Sequence, residues 1–97
     1  MPTYASLVRM TEQGVRDAKG IPQRIVAAER LFSQLGANLK EIYLLNGRYD
    51  YVVIMDAPDD LTATRAALAV SSLGNVRTET SRAYTKAEID QIASGLP

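Results

Sequence analysis

The run Tyr51-Val52-Val53-Ile54-Met55 constrains this chain more than any other stretch. It is β-branched and aromatic, lacks Gly and Pro, and so reads as a strand. Successive side chains of a strand point to opposite faces, and no position of this one is polar. An antiparallel sheet with helices on one side and water on the other alternates apolar and polar residues. Here both faces ask for cover. A chain of 97 residues is expected to form one domain, with a radius of gyration of roughly 12–13 Å. It buries only about 60–65% of its unfolded surface, which leaves too little to cover the second face. The expectation is a partner of the same kind: a homodimer, or a multiple of one, whose paired sheets enclose a barrel-like interior.

The rest of the chain places that strand. Tyr4 to Met10 reads as a first strand. Thr11 stands as an N-cap before a short helical turn, Glu12 to Ala18, interrupted by Gly20 and Pro22. Beyond Pro22, the residues Ile25, Ala28, Leu31, Phe32 and Leu35 recur at threes and fours, the stripe of an amphipathic helix, and Gly36 ends it. Lys40 to Leu45 is a second strand and Tyr49 to Asp56 the third. Pro58 with Asp59 and Asp60 marks a helix start, carboxylates at the positive end of the dipole. That helix, Leu61 to Leu73, carries Ala63, Ala66, Ala67 and Ala69, so it can lie close against its support. Val76 to Tyr84 is a mostly polar strand that suits an edge. Thr85 and Glu88 have capping-box spacing before a short last helix with Ile89 and Ile92. The order over residues 1–97 is β-α-β-β-α-β plus a tail helix. It is an α+β, ferredoxin-like antiparallel sheet with both helices on one face.

Composition removes whole classes of function. There is no Cys and no His, so zinc-thiolate sites, thiol nucleophiles and the usual near-neutral general base are absent. No catalytic residue, metal site or cofactor is expected. Eleven basic residues balance eleven acidic ones, which gives no general pull on nucleic acid or an anionic membrane and favours self-association. The longest apolar run is too short to span a bilayer, and Met1-Pro2-Thr3 opens no signal peptide. A cytoplasmic protein without nucleic-acid or membrane partners is the expectation.

The polar knot Asn46-Gly47-Arg48-Tyr49-Asp50 joins the second and third strands. Asn-Gly between strand-like runs signals a two-residue type I′ turn. That turn sets Leu45 opposite Arg48, Tyr43 opposite Asp50 and Glu41 opposite Val52. One face then carries Tyr43, Asp50, Val52 and Ile54; the other carries Ile42, Leu44, Tyr49, Tyr51, Val53 and Met55. A longer turn would change which residues share a face. Two readings of the knot stand. Asn46 and Gly47 are the turn, with Tyr49 at the core rim and Asp50 an acceptor for turn amides. Alternatively Tyr49 and Asp50, with Arg48, Tyr43, Arg9 and Arg82, belong to a small-molecule site. Arg77, Glu79 and Arg82 either join Arg9 and Tyr43 in a pocket or form a solvated edge that blocks aggregation. Asp59 and Asp60 cap a helix, because two adjacent carboxylates alone build no metal site. RNA-recognition domains share this element order but need aromatics on both central strands and a basic sheet. The first strand here offers only Tyr4.

Four blocks also carry a resemblance: Thr11-Glu12-Gln13-Gly14, Gly47-x-Tyr49-Asp50, Ala57-Pro58-Asp59-Asp60, and Ser72-Leu73-Gly74-Asn75-Val76-Arg77-Thr78. In type and order they resemble the GYD domain family. The resemblance implies a ferredoxin-like fold and self-association, and brings no established activity. More loosely, GRYDYVVIMDAPDD followed by GNVRTETS is similar to the effector-binding domains of leucine-responsive bacterial regulators. Those pair through their sheets and bind amino acids near this region. With no helix-turn-helix ahead of the domain, their DNA-binding role does not carry over. Two functions follow: a non-catalytic homo-oligomer that binds a metabolite or acts by self-assembly, or a cofactor-free enzyme with Asp50 as base and an Arg as anion clamp.

Overall fold

A computed structural model describes residues 1–97. The elements run β1 (Thr3–Met10), α1 (Glu12–Arg16), one 3-10 turn (Ala18–Gly20), α2 (Ile21–Leu35), β2 (Asn38–Leu44), β3 (Tyr51–Asp56), α3 (Asp60–Ser71), β4 (Val76–Ala83) and α4 (Lys86–Ser94). The sheet is antiparallel in the order β2-β3-β1-β4. This is the ferredoxin-like α+β arrangement, with β3 central and the polar β4 at an edge.

The caps explain the boundaries. Thr11 accepts the Gly14 amide at the start of α1, and Asp59 accepts the Thr62 amide at the start of α3. Gly36 closes α2 at φ 89°, a left-handed conformation that favours glycine. Thr85 and Glu88 form a reciprocal capping box on α4. The helix α2 begins at Ile21, not beyond Pro22, because a proline in the first turn removes no intrahelical bond. Bonds from these amides hold the Asp59 and Glu88 carboxyls below the usual carboxylate range, with Arg82 adding to the effect on Glu88. Their contribution to stability is present at neutral pH and fades as acid protonates them.

Side chains of the sheet sort by parity. Tyr4, Ser6, Val8, Tyr51, Val53 and Met55 are buried beneath α2 and α3. Small residues let α3 lie close, with Ala63 and Ala66 buried. The core divides in two: Tyr4, Phe32, Ala37, Met55, Ala57, Ala63 and Ala66 form one cluster, and Val8, Tyr51 and Val53 the other. Nothing in the chain covers the opposite face of the sheet. The molecule is 17 Å deep in its thinnest direction and 51 Å long, and its radius of gyration is 14.5 Å. That exceeds the value expected for a compact chain of this size, because a sheet with one helix layer is flat and α4 stands off its end. No helix is long and apolar enough to cross a membrane.

The β2–β3 connection differs from the two-residue turn. Leu44 pairs with Tyr51 and Tyr43 with Val52, so β3 begins at Tyr51 and residues 45–50 form a longer loop. Gly47 has no positive φ, which rules out type I′. The Asp50 backbone works on both sides, accepting from Leu45 N at 2.7 Å and donating to Val8 O at 2.8 Å. The first bond closes the loop on itself just beyond β2, and the second ties it to β1. A bulge between Leu39 and Glu41 then adjusts the register.

Candidate functional site

Rows across the open face follow from the pairing. One row is Tyr43, Val52, Leu7, Glu79; the next is Glu41, Ile54, Ala5, Ser81; Arg9 and Arg77 lie side by side beyond the first. The centre of this face is therefore apolar, and opposite charges stand at its margins. Tyr43 is 57% exposed and Leu7 38%; Val52 and Ile54 are half-buried between neighbouring strands. An apolar centre with a polar rim is the anatomy of a protein interface.

Tyr49 joins this face. The Arg9 guanidinium lies 4.9 Å from its ring centroid, and its hydroxyl reaches the Glu79 carboxylate at 3.5 Å. The two-residue turn would place Tyr49 with Tyr51 and Val53 instead. As a loop residue it is free of strand parity, and its ring turns to the cation. Asp50 lies outside the strand as well, half-buried, with its carboxylate accepting the Met10 amide at 2.7 Å. The amide belongs to the end of β1 rather than to the Asp50 loop itself. Arg48, Asn46 and Gly47 are exposed at the loop tip.

Asp50→Ala should therefore lower stability by about 1–3 kcal/mol, the range for a lost bond to a charged group. Asp50→Asn, which keeps an acceptor, should fall between. Thermal melts of both variants check this; an Ala variant as stable as the parent would return Asp50 to the ligand candidates.

Arg82 is on the other side of the sheet from Arg9, Tyr43 and Tyr49, since it pairs with Tyr4 on the helix side. The structure thus brings Arg9, Tyr43 and Tyr49 to one face and separates Arg82 from them, while Arg77 and Glu79 stay with Arg9. The Arg82 guanidinium lies 4.5 Å from the Tyr84 ring centroid. It donates to the carbonyls of Thr3 and Ala83 and pairs with Glu88 at 2.9 Å, tying α4 to the sheet.

Beside it is a groove between α3 and β4 that sequence reasoning missed, lined in part by Tyr4, Asp60, Thr80 and Arg82. The Tyr4 hydroxyl donates to Asp60 at 2.5 Å. The signal was available, since Tyr4 shares the parity of the buried Ser6 and Val8 and Asp60 opens the helix above. The bond to Asp60, aided by burial and by that carboxylate's charge, pushes the Tyr4 phenol up to about 12. Folding favours the protonated phenol, so this contribution is complete below pH about 10, the ordinary tyrosine value, and is lost as pH rises toward 12. In a spectrophotometric alkaline titration, Tyr4→Phe should remove the step near pH 12. Retention of that step would assign it to another of the five tyrosines.

Fold and site together define a small ferredoxin-like α+β domain with one uncovered sheet face and a Gly-x-Tyr-Asp loop at its margin. The GYD domain matches residues 4–93, and the chain belongs to that family. It is 32% identical over 90 residues to the glutamine synthetase and cystathionine beta-lyase binding protein of Thermus thermophilus, covering 92% of this chain and 95% of that one. A crystal structure of a protein from the same organism superposes with a TM-score of 0.57 at 25% identity, over 88% of this chain and 95% of that one.

Proposed function

We propose that this protein is a non-catalytic homo-oligomeric module that pairs its sheets face to face and acts through binding. The observation that carries the reading is the uncovered face, with Leu7, Val52, Ile54 and Tyr43 at its centre and Arg9, Arg77, Glu41 and Glu79 around it. Covering such side chains is favourable at about 25 cal/mol per Å² of apolar surface removed from water. Opposite charges at the rim orient one copy against the other. A small metabolite would sit in the enclosed interior, against Arg9, Tyr43 and Tyr49.

The relative named as a binding protein of two enzymes supports a role in contact rather than catalysis. The cofactor-free enzyme draws less support. Its proposed base, Asp50, already accepts a backbone amide, and no Arg contact to that carboxylate accompanies it.

Native mass spectrometry of the protein as purified tests the reading, because it gives subunit count and any retained small molecule together. The expected result is a dimer or a multiple of one. A stable monomer at micromolar concentration in light scattering would sink the proposal.

A further inference from the structure

The two clusters of the core do not meet completely. Between them is a cavity of about 120 Å³, bordered by Val8 and Val53 of one cluster and Phe32 and Met55 of the other, with Ala28 and Ala67 on the helix side. Of its eighteen lining residues, fourteen are hydrophobic, so water finds few partners inside. Enclosed apolar cavities of about 150 Å³ admit benzene or xenon; this one is of that order and partly open, which gives a small apolar molecule a way in. Small side chains on both helices keep the space open: a leucine at Ala28 or Ala67 would occupy much of it.

The polar lining residues are Ser6, Arg24, Asn75 and Thr78. The Ser6 hydroxyl is paired with Thr80, and Asn75 accepts from Gln13 at 3.0 Å. Arg24 differs. It is half-buried, and its one recorded bond runs from Nη2 to the Gly14 carbonyl at 3.0 Å. The ion pairs of the chain are Arg16–Glu12, Lys40–Asp56 and Arg82–Glu88, so no carboxylate balances Arg24. A guanidinium carries five N–H donors. An unpaired, half-buried cation at the border of an apolar cavity is matched by an anion attached to something apolar.

We propose that the space between the two halves of the core is a binding site for a compact molecule with an apolar body and one anionic head. The body lies between the sheet and helices α2 and α3, and the head meets Arg24. Its bulk is that of one aromatic ring or a short branched chain. This site is on the helix side of the sheet, so it is independent of the pairing proposed above.

Xenon and the pair phenylpropionate and phenylpropionamide test the two halves of the inference on the full chain. Xenon should shift the methyl resonances of Ile25, Val53 and Val70, all lining residues, in nuclear magnetic resonance spectra. Phenylpropionate should bind about tenfold or more tightly than its amide, the discrimination of a charge-assisted bond. Arg24→Gln should bring that ratio close to one and leave the xenon response intact. Ala67→Leu should abolish both responses in a folded protein. A folded parent protein that gives no xenon response overturns the cavity. Phenylpropionate that binds no better than its amide, or not at all, overturns the anionic head. Light scattering on the same samples separates these results from the pairing, since a monomer that still binds xenon contradicts the pairing alone.

Discussion

Val53→Lys should fail to fold, while its neighbour Val52→Lys should give a folded monomer. Val53 is 8% exposed, lies between Ser6 and Ile42 in the sheet and faces the helices. An ammonium there loses its water and finds no carboxylate. The penalty is several kcal/mol even after relaxation, which approaches the total of about 5–15 kcal/mol that a domain has to lose. Val52 lies one residue away on the open face, between Leu7 and Tyr43. A lysine there stays solvated in a single copy and is desolvated only when two sheets meet. Circular dichroism and light scattering read the two effects separately. A Val52→Lys protein that keeps the oligomeric state of the parent would place the contact elsewhere, and a well-folded Val53→Lys protein would reverse the faces.

Gly14→Ala should cost about 3 kcal/mol, the upper end for overpacking. Gly14 is buried in α1, and a Cβ on it would come to 2.2 Å from the carbonyl oxygen of Asn75. The neighbour is backbone and cannot swing aside. That carbonyl also accepts the Thr11 amide at 2.9 Å, and the Thr11 hydroxyl donates to the Gly74 carbonyl at 2.6 Å. The added methyl therefore pries apart the junction between the α1 cap and the α3–β4 turn. The natural control is Gly47→Ala, where a Cβ would meet nothing within 4 Å and the effect should stay within about 0.5 kcal/mol. Urea unfolding midpoints of the two variants compare them directly. Equal midpoints would mean that the α1 junction gives way at no cost.

The parity of the sheet was readable from residues alone, and its register was not. The expected pairing of Tyr43 with Asp50 is replaced by Tyr43 with Val52, a slip of two positions. Because side chains repeat every two residues, the slip leaves Val52 and Ile54 with Tyr43, and Val53 and Met55 with Ile42. It changes only what lies in the loop, which is where Tyr49 and Asp50 moved. Asn-Gly is a local signal, and here the Asp50 bonds to Val8 of β1 and across the loop to Leu45 outweigh it. Caps were legible because each is made by residues close in sequence, as with Thr11, Asp59 and Thr85. The Tyr4–Asp60 bond and the cavity beside Arg24 join residues far apart in the chain, so no local pattern announces them. The separation of Arg82 from Arg77 and Glu79 was available from counting alone, since odd and even positions of β4 cannot share a face.

The strand order β2-β3-β1-β4 also bears on how the chain comes together in time. β1 emerges first during synthesis, yet both its neighbours lie downstream: Val8 pairs with Tyr51 and with Thr78, and Thr3 pairs with Asp56 and with Ala83. The first strand therefore waits unpaired until most of the chain exists, and only the β2–β3 hairpin can close early. Closing these long loops precedes the contacts that reward it, which makes such topologies slower than helical ones. During that interval the apolar edges of β1 and β3 are open to other chains as well as to each other. The surface proposed to pair in the finished protein is thus a hazard while it is being made: Arg9 stands beside it on β1 from the start, but Arg77 and Glu79 join the rim only when β4 is complete.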